Sequence, residues 1–250
     1  MRITKSALLT SIALAAMAPT MAFAQDAEDG AEAEEIIVTA RRQNERLVDV
    51  PASVSVIDAD ALAKTGADNA QGFAQLTPGV TIVTGTAEAG DTQINIRGIN
   101  GARDAESSVA LVVDGILKTN TAQLNQTQGT LRQIEILKGP QGAIYGRNAA
   151  AGAIVISTVK PGDTLEGAVK FSYANEKTIE GTAYISAPLG DNAGFVLSGN
   201  YRTTDGFYRN TFLDRKVVDD QEVYSIDGRF MADLGEATNV DLKARYSKLS

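Results

Sequence analysis

The stretch from Glu166 to the end of the chain alternates apolar and polar side chains in five successive runs. In the first run, Val169 and Phe171 fall on one face of an extended strand, and Lys170 and Ser172 fall on the other. Because strand side chains point alternately to the two faces of a sheet, each run predicts a β-strand whose charged residues share one face. Five such strands predict an antiparallel sheet, which belongs either to a soluble domain or to a transmembrane barrel.

The connections between these strands favour a barrel. The turns at Gly190–Asn192 and Gly235–Glu236 are short, whereas Thr204–Gln221 forms a long polar loop. Transmembrane barrels combine short periplasmic turns with longer outer loops. Five strands cannot close into a barrel, and an open sheet would leave two unpaired edges. We therefore expect residues 163–250 to be the first strands of a larger barrel and the sequence to be a fragment of it.

The start of the chain has the pattern of an export signal. Arg2 and Lys5 give it a positive beginning, a short apolar run follows, and small residues lead up to Ala24. The apolar run is too short to span a bilayer comfortably, so this pattern predicts a signal that is removed. We expect a signal peptide at residues 1–24, with cleavage before Gln25.

The sequence contains no cysteine and no histidine, and 31 Asp and Glu against 23 Lys and Arg give it a formal net charge of −8. This charge argues against a nucleic-acid partner, because phosphate backbones require a basic surface. Without thiolates or imidazoles, the chain lacks the usual ligands of zinc and copper and the Ser–His or Cys–His pairs of nucleophilic catalysis. After the signal, no apolar stretch approaches the roughly 20 residues of a spanning helix, so a membrane crossing would require strands.

Residues 25–41 predict an acidic linker that carries a short extended segment. Asp26–Glu35 is acidic and poor in large apolar residues, which predicts disorder. The β-branched residues that follow, Ile36–Ala40, predict either a short edge strand of the next domain or a peptide handle. An extended handle on a flexible linker can add itself to the sheet edge of another protein. The residues alone leave both interpretations open.

Residues 42–162 predict one compact α+β domain. Its strands are expected at Val54–Ile57, Gln93–Arg97, Val109–Leu117, Ile134–Leu137 and Ala153–Ser157. Two short helices are predicted after the first strand, the earlier one capped by Asp58 or Asp60. Asp114 and Gly115 join two apolar runs, which is a strong signal for a β-hairpin.

Glycines stand at positions 139, 142, 146 and 152, between two of the predicted strands. A phosphate-binding loop would require the pattern Gly-x4-Gly-Lys-[Ser/Thr], which does not occur here. A dinucleotide site would place its glycines at the start of a helix, whereas these lead into the strand that begins near Ala153. We therefore predict that the glycines provide turns and permit close approach of the backbone.

These residues, taken together, resemble the plug domain of TonB-dependent outer-membrane receptors. The motifs that carry the resemblance are Gln93–Gly98, Val112–Gly115 and Ile134–Gly146, continuing to Thr158. Glu35–Ala40 resembles the TonB box that precedes such plugs, and the alternating strands resemble the first part of the family's 22-stranded barrel. Two departures, Lys138 where the family often has arginine and Ala151 where it often has glycine, leave the charge and the turn in place.

The resemblance implies energised uptake of a scarce, large substrate, such as an iron–siderophore complex, across the outer membrane. TonB, the energy-transducing partner in the inner membrane, would act on the box residues Glu35, Ile36, Ile37, Val38, Thr39 and Ala40. The residues implied to form the plug motif and its contacts with the barrel are Arg97, Gly98, Asp114, Gly115, Glu135, Lys138, Gly139, Pro140, Tyr145, Gly146, Arg147 and Gly152. Membrane lipid and a small-molecule or metal-chelate substrate are the other implied partners, with no cofactor, metal site or catalytic residue.

Two other classes of function are compatible with the residues. A soluble periplasmic or secreted β-rich binding module would show the same alternation but would not need the Ile36–Ala40 handle. An exported enzyme could use a carboxylate pair such as Asp219–Asp220. That pair lies in a polar loop without supporting groups, so solvated charges are the simpler interpretation. The identity of the substrate is left open.

Overall fold

The computed structural model describes residues 35–65, 70–84, 92–100, 106–125, 130–216, 220–235 and 237–249. The contacts within the chain divide it into a unit of Met1–Glu35 and a unit of Ile36–Ser250. All described helices and strands belong to the second unit.

Several predictions made from the sequence fall outside the described residues. They are the signal peptide at residues 1–24, its cleavage between Ala24 and Gln25, most of the acidic linker, and Asp219 of the carboxylate pair. Glu35, the first residue of the predicted box, is described and belongs to the first unit.

The first part of the second unit consists of short strands and helices. Its strands are β1 (Ile37–Val38), β2 (Glu45–Arg46), β3 (Ser53–Asp58), β4 (Val80–Thr84), β5 (Thr92–Ile96), β6 (Ile99–Asn100), β7 (Val109–Val113), β8 (Ile116–Lys118), β9 (Leu131–Lys138) and β10 (Gly152–Thr158). Its helices are α1 (Ala59–Thr65), α2 (Ala70–Gln75) and α3 (Gly142–Tyr145), with 3-10 turns at Leu47–Asp49 and Thr121–Asn125. This confirms the α+β composition expected for the plug.

The first part of the unit, which contains the predicted plug and is called the plug below, is organised around a central sheet with the strand order β3–β9–β10–β7–β8. Strands β10 and β7 run parallel, and the other neighbours are antiparallel. A second sheet has the order β4–β5–β6, and β1 pairs with β2. Ile134 and Ile136 of β9 belong to the main core, whereas Leu137 packs in a second cluster that includes Tyr145. The central sheet is therefore covered on both faces.

Local signals account for the first helix and for two tight turns. Asp58 accepts a hydrogen bond from the backbone N–H of Ala61 at 2.7 Å, so Asp58 caps α1. The predicted hairpin is present between β7 and β8. Its turn residues, Asp114 and Gly115, both have positive φ, which a type I′ turn requires. A second turn of this kind, at Arg97–Gly98, joins β5 to β6 and was not predicted.

The glycine-rich stretch turns the chain and then passes very close to a neighbouring strand. The single-turn helix α3, which the sequence did not predict, ends at Gly146 with φ of 74°. At Gly152, a Cβ atom would lie 2.2 Å from the carbonyl oxygen of Leu137 and 3.0 Å from Cδ1 of Ile96. Any side chain at this position would collide with β9. The glycines thus provide turns and close approach, as expected.

The second part of the unit is an antiparallel sheet of long strands. These strands are β11 (Glu166–Ala174), β12 (Thr178–Pro188), β13 (Ala193–Thr204), β16 (Gln221–Asp233) and β17 (Asn239–Leu249), paired in that order. The loop before β16 contains a small hairpin of β14 (Arg209–Asn210) and β15 (Arg215–Lys216). The five alternating strands are confirmed, whereas the small hairpin was not predicted.

The long strands expose apolar side chains and bury polar ones. The exposed side chains include those of Val169, Phe171, Leu197, Ile226 and Leu242. Of the buried side chains on these strands, those of Ser186, Ser198, Thr204, Ser225 and Arg229 are polar, and those of Val196 and Ala232 are apolar. A sheet that faced water would place these two groups the other way round. Across the described parts of the chain, the helices are too short or too polar to cross a membrane.

Candidate functional site

Residues 36–40 are the part of the predicted TonB box (residues 35–40) that belongs to the second unit, and they lie against the plug. We call them the TonB-box segment after that prediction. Its strand β1 pairs with β2 in an antiparallel arrangement. Ile36 and Ile37 are 43% and 41% exposed, whereas Val38 and Ala40 are each 1% exposed. The segment therefore forms a short strand with one buried flank, and its action as a handle for a partner stays a prediction.

The carboxylate of Glu135 holds this segment in place. The backbone N–H of Thr39 donates to both carboxylate oxygens at 2.9 Å, and the Thr39 hydroxyl donates to Oε1 at 2.9 Å. The N–H of Ala40 donates to Oε2 at 2.7 Å. Gln133 Nε2 donates to Glu135 Oε1 and to the carbonyl of Ile37, both at 3.0 Å. One buried carboxylate thus binds two consecutive residues of the segment through charge-assisted hydrogen bonds.

The position of Glu135 differs from the contact with the barrel wall that the resemblance implied. Strand β9 lies between β3 and β10, so its side chains point above and below the central sheet rather than outward. Glu135 is fully buried on the face that carries Leu137 and Tyr145. Among the described residues it accepts hydrogen bonds from Thr39, Ala40 and Gln133, all within the first part of the unit.

Tyr145 also holds the TonB-box segment against the plug. We call the groups of Glu135, Gln133 and Tyr145 that bind the segment its seat. Helix α3 places its hydroxyl against the carbonyl oxygen of Ala40, to which it donates a hydrogen bond. The guanidinium carbon of Arg42 lies 5.7 Å from the centre of the tyrosine ring, a cation–π distance. Burial, together with the neighbouring Glu135 carboxylate, raises the pKa of Tyr145 to about 12, and Arg42 opposes this shift. The phenol therefore remains protonated at physiological pH and can donate to the segment.

Asp114 forms a second polar site, at the turn between β7 and β8. Its carboxylate accepts hydrogen bonds from the backbone N–H and the hydroxyl of Thr158, both at 2.8 Å. Burial raises the pKa of Asp114, but the bonds from Thr158 and the charges of Lys243 and Arg229 outweigh that effect. They hold the pKa below its ordinary value of 3.8. Asp114 is thus ionised at neutral pH and links the end of β10 to the β7–β8 turn.

Arg229 joins this site to the long strands. Its guanidinium donates to both carboxylate oxygens of Asp241, at 3.0 and 2.7 Å, and lies 3.5 Å from Asp114 Oδ1. It also donates to Thr158 Oγ1 at 3.1 Å. Lys243 Nζ lies 3.1 Å from Asp114 Oδ2 and 3.5 Å from Asp241 Oδ2. Two carboxylates and two cations therefore connect the plug to β16 and β17.

The resemblance implied that Asp114 belongs to the plug motif or its contacts with the barrel, but it did not indicate which residues of the long strands Asp114 contacts. Arg229 and Lys243 lie directly opposite each other in the β16–β17 register. Like charges in that position destabilise a strand pair. Two inward-facing cations at matching positions of neighbouring strands would therefore have indicated that an acidic group approaches them from another part of the fold.

We expect Arg229→Met to weaken the attachment of the plug to the long strands. Arg229 is only 7% exposed, and removing one partner of a buried ion cluster leaves uncompensated carboxylates, at a cost of about 3 kcal/mol. Urea unfolding of the detergent-solubilised protein, followed by hydrogen exchange in β7, β8 and β10, measures this loss.

Arg245→Met is the matched control for this change. Arg245 pairs with Asp227 on the neighbouring strand, and its side chain is 32% exposed. Such a pair contributes at most about 1 kcal/mol. Equal losses in the two variants would contradict the special role of Arg229.

The ion cluster also makes stability depend on pH through Asp114. Because the folded-state pKa of Asp114 is depressed, its contribution to the free energy of unfolding is present above the ordinary pKa and is lost as the pH falls through the depressed value.

Arg97 and Lys138 form a pair of neighbouring cations on the plug. Lys138 Nζ donates to the carbonyl of Pro78 at 2.8 Å. Burial and the charge of Arg97 both lower the pKa of Lys138. Within the described residues, neither cation has a carboxylate partner. Two adjacent positive charges of this kind would be stabilised by an acidic group from elsewhere.

The remaining motif residues shape the backbone around these sites. Gly139 has φ of 110° and its N–H donates to the carbonyl of Ala151 at 2.9 Å, which closes the turn after β9. Pro140 and Arg147 are exposed. Gly98 and Gly115 occupy the second positions of the two tight turns. These residues therefore support the plug fold and do not line one common site.

Comparison with known proteins identifies the family of the first part. The TonB-dependent receptor plug domain family matches residues 46–153. The pesticin receptor of Yersinia pestis is 29% identical over 177 residues, which cover 69% of this chain and 25% of that protein. The vitamin B12 transporter BtuB of Vibrio vulnificus is 25% identical over 203 residues, covering 80% of this chain and 32% of that protein. The chain spans about a quarter to a third of the length of these relatives.

Solved structures show the same fold. The ferric yersiniabactin uptake receptor FyuA from Yersinia pestis superposes with a TM-score of 0.73 at 21% identity, covering 79% of this chain and 32% of that one. The pyoverdine outer membrane receptor FpvA from Pseudomonas aeruginosa PAO1 superposes with a TM-score of 0.68 at 19% identity, covering 84% and 30%. The fold expected from the sequence, a plug followed by antiparallel barrel strands, is thereby confirmed.

Proposed function

Because residues 46–153 of this chain are a TonB-dependent receptor plug domain, we propose that the protein is an outer-membrane receptor for TonB-energised uptake. The cargo would be a scarce, large substrate such as an iron–siderophore complex. The observation that carries this proposal is the plug followed directly by strands with apolar side chains outside and polar ones inside. Such strands suit a wall between lipid and a lumen that the plug fills.

The distribution of aromatic residues on the strands supports placement in a bilayer. Phe195 and Phe230 lie opposite each other near one end of β13 and β16, and Tyr201 and Tyr224 lie opposite each other near the other end. The two rows are six residue positions apart on β13, which is about 20 Å at the rise of an extended strand. Aromatic girdles flank an apolar band of about 25 Å in outer-membrane barrels. The outer membrane is therefore the proposed location, with the linker in the periplasm.

The proposed partner for energy transfer is TonB, acting on residues 35–40. An extended, β-branched segment can pair with a partner strand through backbone hydrogen bonds. Ile36 and Ile37 already present an apolar flank to solvent. We also propose that Arg97, Lys138 and Arg147 face acidic groups of the barrel wall, since the first two are neighbouring cations without a carboxylate partner among the described residues.

The substrate class rests on the relatives. Their names give pesticin, vitamin B12 and ferric yersiniabactin as what those proteins bind or transport. Two of these are metal complexes of large organic ligands, so a metal chelate is the class we propose here. The matched relatives are receptors and transporters, and we propose that this protein is likewise not an enzyme.

The test is uptake by cells that produce the full-length receptor. The protein should fractionate with the outer membrane, and accumulation of labelled ferric siderophores or cobalamin should stop when a protonophore dissipates the proton gradient. A soluble periplasmic binding module, the competing interpretation, would appear in the periplasmic fraction and would bind its ligand regardless of the gradient. That result would overturn the proposed function.

A further inference from the structure

The seat of the TonB-box segment uses the backbone groups that a partner strand would need. The N–H groups of Thr39 and Ala40 donate to Glu135, and the carbonyl of Ala40 accepts from Tyr145. The carbonyl of Ile37 accepts from Gln133. Pairing of two strands requires free N–H and C=O groups along an edge. A partner can therefore pair fully with this segment only after the segment has left Glu135.

The departure of the segment has a clear electrostatic consequence. The Glu135 carboxylate would lose three backbone contacts and one hydroxyl contact, and among the described residues it would keep the bond from Gln133. A buried ionised carboxylate with so few donors is unfavourable. The state in which the segment is bound to Glu135 is therefore lower in free energy, and rebinding of the segment restores the hydrogen bonds of the carboxylate.

We propose that Glu135 is a latch that sets how readily the TonB-box segment is released and that draws it back after release. The role given to TonB in this inference rests on the proposed function. The latch itself rests on geometry, because one fully buried carboxylate binds two consecutive residues that lie 95 and 96 positions away in the sequence. Glu135 is in this sense a positioning residue for the segment.

The latch is tested with Glu135→Gln in the full-length receptor. Glutamine keeps the size of the side chain but removes the charge and replaces one acceptor oxygen with a donor. We expect hydrogen exchange at residues 37–41 to become ten- to a hundredfold faster, and the affinity for the periplasmic domain of TonB to rise about tenfold or more. Exchange in β3, β9 and β10 should remain slow, which shows that the plug is still folded.

Two further variants make the result specific. Glu106→Gln removes an exposed plug carboxylate that contacts Asn148 and not the segment, so exchange at residues 37–41 should not change. Thr39→Val removes the hydroxyl donor but keeps both backbone donors, so exchange should increase by a smaller factor than in Glu135→Gln. If Glu135→Gln does not fold, the proposal is tested by Thr39→Val alone. Unchanged hydrogen exchange at residues 37–41 in Thr39→Val would then overturn the latch.

The two readouts separate the latch from the proposed function. Faster exchange at residues 37–41 without binding of the TonB domain to either form would support the latch and contradict the proposed partner. Binding of the TonB domain to wild type and Glu135→Gln with equal affinity, and with unchanged exchange in a folded plug, would overturn the latch and leave the proposed function standing.

Discussion

Val38→Pro in the full-length receptor is expected to abolish energised uptake. Proline fixes φ and removes a backbone donor, so strand pairing through residues 36–40 is interrupted at its centre. Val38 is also 1% exposed in the seated segment, and the ring would disturb its packing. Outer-membrane insertion and binding of substrate to the cell surface should be retained, because neither depends on this segment. Accumulation of labelled substrate by energised cells measures the effect.

Val38→Ala is the control for this prediction. Alanine retains the N–H group and the freedom of φ, so the segment can still pair, and uptake should continue at a rate close to that of the wild type. If Val38→Pro cells still accumulated substrate in a gradient-dependent manner, residues 35–40 would not be the handle.

Gly152→Ala is expected to destabilise the plug strongly. The added Cβ would lie 2.2 Å from the carbonyl oxygen of Leu137 and 3.0 Å from Cδ1 of Ile96. The oxygen belongs to the backbone of the central strand β9, which cannot move without breaking its pairing with β3 and β10. We expect a loss of about 4 kcal/mol or more in the free energy of unfolding. Urea unfolding of the purified receptor, with exchange in the central sheet as the local readout, measures it.

The same substitution at a nearby glycine provides the matched control. At Gly142, in α3, no heavy atom beyond the adjacent residues and the backbone of the helix itself lies within 4 Å of the position of an added Cβ. Alanine there should change stability by less than about 1 kcal/mol, and in the stabilising direction, since glycine is a poor helix former. A Gly152→Ala plug that unfolds at the same urea concentration as Gly142→Ala would contradict the close approach of β10 to β9.

Elements with strong local signals could be predicted from the sequence. The five long strands follow from two-residue alternation, which places side chains on opposite faces whatever lies around the sheet. Asp114–Gly115 predicted a hairpin because both residues tolerate positive φ. The sequence predicted that Asp58 or Asp60 would cap the start of α1, because a carboxylate can accept from the first free N–H groups of a helix, and the structure shows that Asp58 does so.

Elements with weak local signals could not be predicted in this way. Helix α3 has only four residues and the hairpin of β14 and β15 only two residues per strand. Neither is long enough to show a period. Arg229 and Lys243 lie on the charged face of their strands, and their pairing calls for an acidic group from elsewhere, but nothing in their neighbouring residues identifies Asp114 as that group.

The sequence by itself determined which segments become strands, which face of each long strand is apolar, and where the glycines are required, because these properties depend on neighbouring residues. Only the tertiary structure decided which groups surround Glu135. Its motif indicated a charge at the barrel wall, whereas the fold buries it beneath Thr39 and Ala40, 96 and 95 residues away. The reason is physical. The packing of the elements determines which groups reach a buried charge, and the separation of two residues in the sequence does not indicate whether they are in contact.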